Sequence, residues 1–202
     1  EEERKVIRHI AGLLIQEMPQ VRAAWKLLVQ LDLGQAKCRL GNELNGICVP
    51  LEEDAKLNLP CARHPLLVLE AALHNKDKNY SGPRRIEPSD LILRPGDRVL
   101  VISGGNAGGK TVALKTLGLI TLMTLAGLPA PVDRGATLPF WNQVHAFIGD
   151  EQSLDAHVST FTGQIRHLSS IWDKLDKHTL ILLDEFGAGT DPSQGAALAQ
   201  AV

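Results

Sequence analysis

Residues 104–111 have the sequence Gly104-Gly105-Asn106-Ala107-Gly108-Gly109-Lys110-Thr111, and this stretch decides the fold of the 202-residue chain. It matches the pattern of a phosphate-binding loop, Gly-x-x-x-x-Gly-Lys-Thr. Glycines let backbone N–H groups turn inward around a phosphate, and the helix that follows directs the positive end of its dipole at the same anion. In such a loop Lys110 contacts the β- and γ-phosphates, and the Thr111 hydroxyl binds Mg²⁺. The stretch therefore predicts that all eight residues help to bind a nucleotide.

The segments on either side have the pattern that such a loop requires. Residues 98–103 are dominated by β-branched and other apolar residues, which is typical of a buried strand, and a helical pattern runs from Lys110 to Ala126. Residues 179–183 are a second candidate for a buried strand. Strands separated by helices predict an α/β fold with a largely parallel sheet.

Two carboxylates, Asp184 and Glu185, follow the second strand directly. A strand of this kind would carry Asp184 to the edge of the sheet beside the phosphate loop, where it can bind Mg²⁺. Glu185 would then face the attacking water as a general base. Two acids at a strand end are equally typical of a solvated surface, but their combination with the phosphate loop favours hydrolysis of a nucleotide.

The N-terminal part of the chain is predicted to be helical. Within residues 1–18, Val6, Ile10, Leu14 and Met18 lie four positions apart, which is typical of one face of an amphipathic helix. Pro19 is expected to end this helix, and a second helical pattern begins near Gln20. The two apolar faces are expected to pack as an antiparallel pair, either as a lever arm or as an ordinary helical bundle. Residues 41–60 are interpreted as a connector and residues 74–90 as an exposed loop.

The composition excludes several classes of protein. Lys and Arg total 21 and Asp and Glu total 23, so the net charge of −2 excludes charge-driven disorder and a strongly basic protein that coats DNA. Polar residues interrupt every apolar stretch before the roughly 18 positions of a transmembrane helix, so no membrane partner is expected. The three cysteines predict reduced thiols in a cytoplasmic protein. The apolar helical pattern at the end has no stop signal, so the chain is expected to be a piece of a larger protein.

Five segments in order resemble motifs of the ATPase domain of MutS proteins. They are residues 103–111, 114–119, 148–153 (Ile-Gly-Asp-Glu-Gln-Ser), 159–161 (Ser-Thr-Phe) and 183–192 (Leu-Asp-Glu-Phe-Gly-Ala-Gly-Thr-Asp-Pro), and residues 61–67 resemble the opening of that domain. The resemblance implies a MutS-type ATPase domain at 57–202, truncated at its end, after a helical lever segment and connector at 1–56. The Asp-Glu-Gln-Ser and Gly-Thr-Asp-Pro forms resemble the second bacterial branch, which lacks the mismatch-reading domain and often carries a C-terminal Smr nuclease domain.

The resemblance also implies roles for single residues. It implies a P-loop ATPase of the ABC-like group that uses ATP and ADP with Mg²⁺ and works as a homodimer with two composite sites. Ser159 matches the position that reaches the γ-phosphate from the other subunit, although a serine at a helix start is also an ordinary N-cap. Ile86 falls near the position that packs against adenine, and residues 187–191 match a segment at the dimer interface. The switch histidine of the family would lie beyond the end of this chain.

The function that the resemblance implies is that of an ATPase in a nucleoid-associated, DNA-binding protein. Such a protein acts on branched recombination DNA and suppresses recombination, and ATP closes its dimeric clamp. One alternative is a dimerisation module that binds a nucleotide without turnover, and another is the ribosome-rescue role of the same branch. A chromosome-maintenance ATPase is disfavoured, because only about 70 ordinary residues separate the two nucleotide motifs where such proteins insert a long coiled coil. The net charge predicts weak DNA binding by this chain alone.

Overall fold

The computed structural model describes residues 1–53, 55–74, 86–94, 96–105, 109–148 and 165–185. These residues have a mixed α/β structure. In chain order the elements are α1 (Glu2–Leu44), β1 (Leu51–Glu52), β2 (Asn58–Ala62), α2 (Pro65–His74), β3 (Ser89–Ile92), α3 (Lys110–Leu125), β4 (Leu138–Pro139), β5 (Gln143–Phe147), a fourth helix over 165–171, a 3₁₀ helix (Trp172–Lys174) and β6 (Thr179–Leu183). Within these ranges no helix is both long enough and apolar enough to cross a lipid bilayer.

Helix α1 corrects the prediction of two helices separated at Pro19. The helix runs unbroken for 43 residues, with Pro19 inside it. Proline removes one backbone hydrogen bond, but Ile15, whose carbonyl loses its partner, is 70 % exposed, so water can solvate that carbonyl. The helix ends at Asn45, whose left-handed backbone lets the Gly46 N–H donate to the Gly41 carbonyl. The predicted antiparallel pair is therefore absent within the described residues, and the apolar face of α1 is exposed.

The strands form three two-stranded sheets. Two of them are parallel: β1 pairs with β4, and β5 pairs with β6 in a register that matches Gln143 to Thr179 and Phe147 to Leu183. The third pair, β2 with β3, is antiparallel and irregular between Leu59 and Ala62. Strand β6 has the bounds that the sequence predicts, and the parallel pairs agree with the predicted α/β class.

A single apolar cluster packs helix α3 against the strands. Its buried members are Val49, Leu57, Leu59, Ala62, Leu91, Leu117, Ile120, Ala130, Val132, Ala136, Leu138, Trp141 and Leu182. Gly118 permits the close approach of α3 to β6, since a Cβ atom there would lie 2.8 Å from the Leu182 Cδ1 atom. Helix α3 is thereby fixed against the strand that ends just before Asp184.

Residues 98–103 are not a strand in the structure, which corrects the prediction for this segment. Their side chains alternate: Leu100 and Ile102 pack against the core, while Val99 and Val101 are 73 % and 80 % exposed. Only one face of the segment 98–103 therefore packs against the core. The segment pairs with no strand among the described residues. The expected loop at 74–90 also ends earlier than predicted, because β3 begins at Ser89, and residues 75–85 lie outside the described ranges.

Candidate functional site

The predicted phosphate loop leads directly into α3. Gly109 has a φ of 75°, a left-handed backbone that favours glycine, and it precedes the helix without a side-chain cap. The N–H groups of the first helical turn have no acceptors within the helix and can bind an anion. The Lys110 ammonium donates to the carbonyls of Gly104 at 2.9 Å and Gly105 at 3.0 Å. The structure thus brings both ends of the loop and its lysine together.

Ile86 lies beside the same helix terminus. A pocket of about 280 Å³ is lined by Ile86, by residues of α3 and by residues around the start of α2. Its α3 side is formed by Gly109, Val112, Ala113 and Thr116. This volume is just below the roughly 300–1,000 Å³ of sites that enclose drug-sized ligands, so it suits part of a nucleotide such as its base. A groove of about 440 Å³ near Pro19 is lined by residues of α1 alone.

The two carboxylates lie at the end of β6, as predicted. Asp184 is buried, and its N–H donates to the Phe147 carbonyl at 3.0 Å, which extends the pairing of β5 with β6. Glu185 is exposed and has a φ of 47°, a left-handed conformation that is rare for a residue with a side chain. Thr111 is half-buried in the first turn of α3. Among the described residues no hydrogen bond joins Thr111 to Asp184.

Several predicted site residues lie outside the described ranges. Within the loop these are Asn106, Ala107 and Gly108, and beyond it they are Ser159 and the segment 187–191. Of the predicted loop the structure therefore describes residues 104–105 and 109–111, and it also describes Asp184 and Glu185. The expected contact of Ser159 from a second subunit stays a prediction. Within the described ranges no group of three or more His, Cys, Asp or Glu forms a ready-made metal site. Mg²⁺ commonly binds through one or two protein groups together with substrate phosphates, so this site needs no such cluster.

His64 lines the pocket as well, although no motif in the sequence indicates a role for its side chain. It immediately precedes α2, and its Nδ1 accepts a hydrogen bond from the Leu67 N–H at 3.4 Å. Burial lowers the pKa of His64, and the nearby Lys115 ammonium lowers the pKa further, so the ring is neutral at pH 7. Pro65, at the first position of α2, indicates the start of a helix. Histidine is not among the usual N-cap residues, so the sequence does not predict that His64 caps this helix.

Cys61 occupies an unusual position at the end of β2. Its backbone has a φ of 50°, and its N–H donates to the Asp90 Oδ1 atom at 2.8 Å. The thiol donates a hydrogen bond to the Asp133 carboxylate, and this bond, with burial and the charges of Asp133 and Asp90, raises the pKa of Cys61. Cys38 and Cys48 are exposed, and all three cysteines are free thiols.

Comparison with known proteins agrees with the geometry of the loop and helix. The family model for MutS domain V matches residues 100–202, slightly more than half of the chain. The chain is 49 % identical over 202 residues to a protein of Solidesulfovibrio magneticus and 44 % identical over 201 residues to one of Maridesulfovibrio salexigens, each alignment covering 100 % of the chain and 25 % of the relative. A protein of Lactobacillus helveticus is 37 % identical over 199 residues, which cover 98 % of the chain and 24 % of the relative.

Each of these relatives is named "Endonuclease MutS2", and the chain spans about a quarter of their length. The family match at 100–202 includes all five segments that carried the resemblance in the sequence, while residues 61–67 lie outside it. The resemblance is confirmed, and the chain belongs to the MutS family, in its MutS2 branch.

Proposed function

We propose that this chain binds ATP and ADP with Mg²⁺ and forms part of the ATPase domain of a MutS2-type protein. The observation that carries the proposal is the uncapped start of α3, where Gly109 has a left-handed backbone and Lys110 folds onto the loop carbonyls. A phosphate can take the place of those carbonyls as the partner of the Lys110 ammonium. The base would enter the adjoining pocket beside Ile86.

The residues of the site fit a magnesium nucleotide. Thr111 supplies a hydroxyl and Asp184 a carboxylate, both oxygen donors of the kind that Mg²⁺ prefers. When bound, Mg²⁺ neutralises charge that develops on the phosphates. We propose Glu185 as the general base that takes a proton from the attacking water, and Ser159 of a second copy as the γ-phosphate contact in a homodimer. Strained backbone conformations such as that of Glu185 occur preferentially at functional sites, which supports this assignment.

We further propose that residues 57–202 belong to a P-loop fold of the ABC-like group and that residues 1–56 are a helical lever and connector. The parallel pairing of β5 with β6 and the packing of α3 on Leu182 support the first part. The length of α1 and its exposed apolar face support the second.

The names of the relatives support a DNA-acting parent protein. We propose that ATP binding and hydrolysis in a dimer close a clamp on branched DNA and so suppress recombination. The chain itself supplies the nucleotide site and the base of the lever, while its relatives are about four times as long.

Titration calorimetry of this chain with Mg·ADP and Mg·ATP tests the nucleotide site. We expect saturable binding by the wild type and a loss of at least about tenfold in affinity in Lys110→Ala, because the ammonium makes a charge-assisted contact to phosphate. Lys26→Ala, on the exposed surface of α1, is the control and should bind normally. Equal binding by Lys110→Ala and the wild type, or no binding by a folded wild type, would contradict the proposal.

A further inference from the structure

His64 caps helix α2 and also lines the pocket beside α3. It precedes α2, where its Nδ1 accepts the Leu67 N–H at 3.4 Å, and it is only 9 % exposed. It also lines the pocket that contains Ile86 and Gly109. The cap alone would be satisfied by a short polar side chain, because Asn, Asp, Ser and Thr are the preferred N-caps. An imidazole at this position therefore supplies a second ring nitrogen that the cap does not use.

The hydrogen bond at Nδ1 decides what the second nitrogen can do. A neutral imidazole has one nitrogen that donates and one that accepts. Because Nδ1 accepts from Leu67, the proton of the neutral ring lies on Nε2, which is then a donor. Burial and the nearby Lys115 hold the pKa of His64 below its ordinary value, which favours the neutral ring, and the hydrogen bond at Nδ1 selects the tautomer.

The other groups of the pocket complement that donor. Ile86, Val112 and Ala113 provide apolar surface, and the Thr116 hydroxyl already donates to the Val112 carbonyl at 2.7 Å. Glu87 and Ser89 line the pocket as well and add polar atoms to its wall. A pocket with apolar walls and a ring donor at one side can receive a purine, whose ring nitrogens are hydrogen-bond acceptors.

We propose that His64 is a base-contacting residue of the nucleotide site, whose Nε2–H donates a hydrogen bond to an acceptor nitrogen of the purine ring. The inference rests on the proposed nucleotide function and adds a determinant of base recognition to it. His64 thereby links recognition of the base to the start of α2, because one ring caps the helix and contacts the ligand.

Two substitutions separate the cap from the contact. His64→Asn keeps an acceptor near the position of Nδ1, and Asn is a good N-cap, but it removes the distal donor. His64→Gln places an amide near the position of Nε2 and loses the cap. We expect His64→Asn to keep the wild-type melting temperature and to bind Mg·ADP about three- to tenfold more weakly, the loss of one hydrogen bond. We expect His64→Gln to melt at a lower temperature and to bind Mg·ADP more tightly than His64→Asn.

Inorganic tripolyphosphate, which has no base, distinguishes this contact from a general effect on the site. Its affinity with Mg²⁺ should be the same for the wild type and His64→Asn, and His9→Asn on the exposed surface of α1 should change neither ligand. Equal Mg·ADP affinity of the wild type and His64→Asn would overturn the contact and leave His64 as a cap only, with the nucleotide site intact. Equal weakening of tripolyphosphate would overturn it as well. No Lys110-dependent binding of either ligand by the wild type would overturn the site itself.

Discussion

Glu185 adopts a left-handed backbone, which is uncommon for a residue with a side chain. Glu185 has a φ of 47° and comes directly after the buried Asp184, at the end of β6. Strand β6 is paired in parallel with β5. A left-handed conformation at a residue with a Cβ costs of order 1–3 kcal/mol, so the surrounding structure must hold it there. This fixed position is consistent with the general-base role proposed above for the Glu185 carboxylate.

The first prediction concerns the chemistry of that carboxylate. In a protein of the full length of the MutS2 relatives, Glu185→Ala should bind Mg·ATP as the wild type does and hydrolyse it at least about 100-fold more slowly, because general bases contribute about 10²–10⁴-fold. Steady-state phosphate release together with nucleotide titration measures both quantities. Glu52→Ala, on β1, is the control and should hydrolyse ATP normally. Unchanged hydrolysis by Glu185→Ala would show that another group activates the water.

Cys61 gives a second prediction at the scale of single residues. The hydrogen bond to Asp133 and the two neighbouring carboxylates stabilise its thiol over the thiolate, and this raises the pKa of Cys61. The thiolate is the reactive form, so at pH 8 Cys61 should react with iodoacetamide more slowly than the exposed Cys38 and Cys48. Peptide mapping by mass spectrometry over time measures the three rates separately.

The physical cause of the slow reaction can be tested by removing the carboxylate. Asp133→Asn should accelerate the labelling of Cys61 and move its pH profile to lower pH, while the rates of Cys38 and Cys48 stay constant. If Cys61 labels as fast as Cys38 in the wild type, the hydrogen bond to Asp133 is not formed in solution.

At the scale of elements, the junction between α1 and the segment after α3 depends on one glycine. Ile47 and Ala130 exchange two backbone hydrogen bonds at 2.9 Å and 2.8 Å, and this bridge brings Gly46 against the Ala130 carbonyl. A Cβ atom at Gly46 would lie 2.5 Å from that oxygen, so the backbone would have to shift. The position requires glycine because of the close approach of two backbone segments.

The third prediction follows from that approach. Gly46→Ala should lower the free energy of unfolding by about 1–3 kcal/mol, the usual cost of overpacking, measured by urea denaturation. Gly34→Ala is the matched control, because Gly34 lies exposed within α1 and a Cβ there has nothing within 4 Å. It should be neutral or stabilise the chain by up to about 1 kcal/mol. Equal stability of Gly46→Ala and the wild type would mean that the bridge is absent in solution.

The same elements show what can be predicted from the sequence. The bounds of β6 and of α3 agree with the sequence to within about a residue, because a short apolar run and a helical period are local signals. The segment 98–103 carries an equally strong local signal but is not a strand, because a strand also needs a pairing partner and Val99 and Val101 face solvent. Pro19 misled the prediction for α1 because local rules do not weigh one lost hydrogen bond against 43 helical residues.

Some residues of the candidate site can likewise be predicted from the sequence, and others cannot. Gly109 and Lys110 could be named from the sequence, because the loop motif fixes their spacing. His64 could not, because its link to the pocket depends on the packing of α2 beside α3, which are more than 30 residues apart in the chain. Cys61 likewise depends on Asp90 and Asp133, which the chain brings together only through β3 and the segment after α3.

At the scale of the whole molecule, the chain combines a buried core around α3 with a long, exposed helix. Large apolar side chains along α1 are half or more exposed, among them Ile7, Leu14, Trp25 and Leu28. Exposed apolar surface of this extent is typical of an interaction surface. The end of α1 is joined to the segment after α3 by the Ile47–Ala130 bridge, and α3 itself begins at the candidate nucleotide site.

The last prediction concerns nucleic acid, because DNA affinity depends mostly on cations placed against phosphates. The chain has 21 basic and 23 acidic residues, so its overall charge repels DNA weakly. We therefore expect this chain alone to bind a labelled four-way junction with a Kd weaker than about 10⁻⁴ M at near-physiological salt, measured by fluorescence anisotropy. The full-length relative from Solidesulfovibrio magneticus, on the same junction, is the comparison and should bind more tightly if the DNA contacts lie in the other three-quarters of such proteins. Binding by this chain with a Kd below about 10⁻⁶ M, weakening steeply as salt rises from about 50 to about 200 mM, would place phosphate contacts within these 202 residues and contradict the argument from charge.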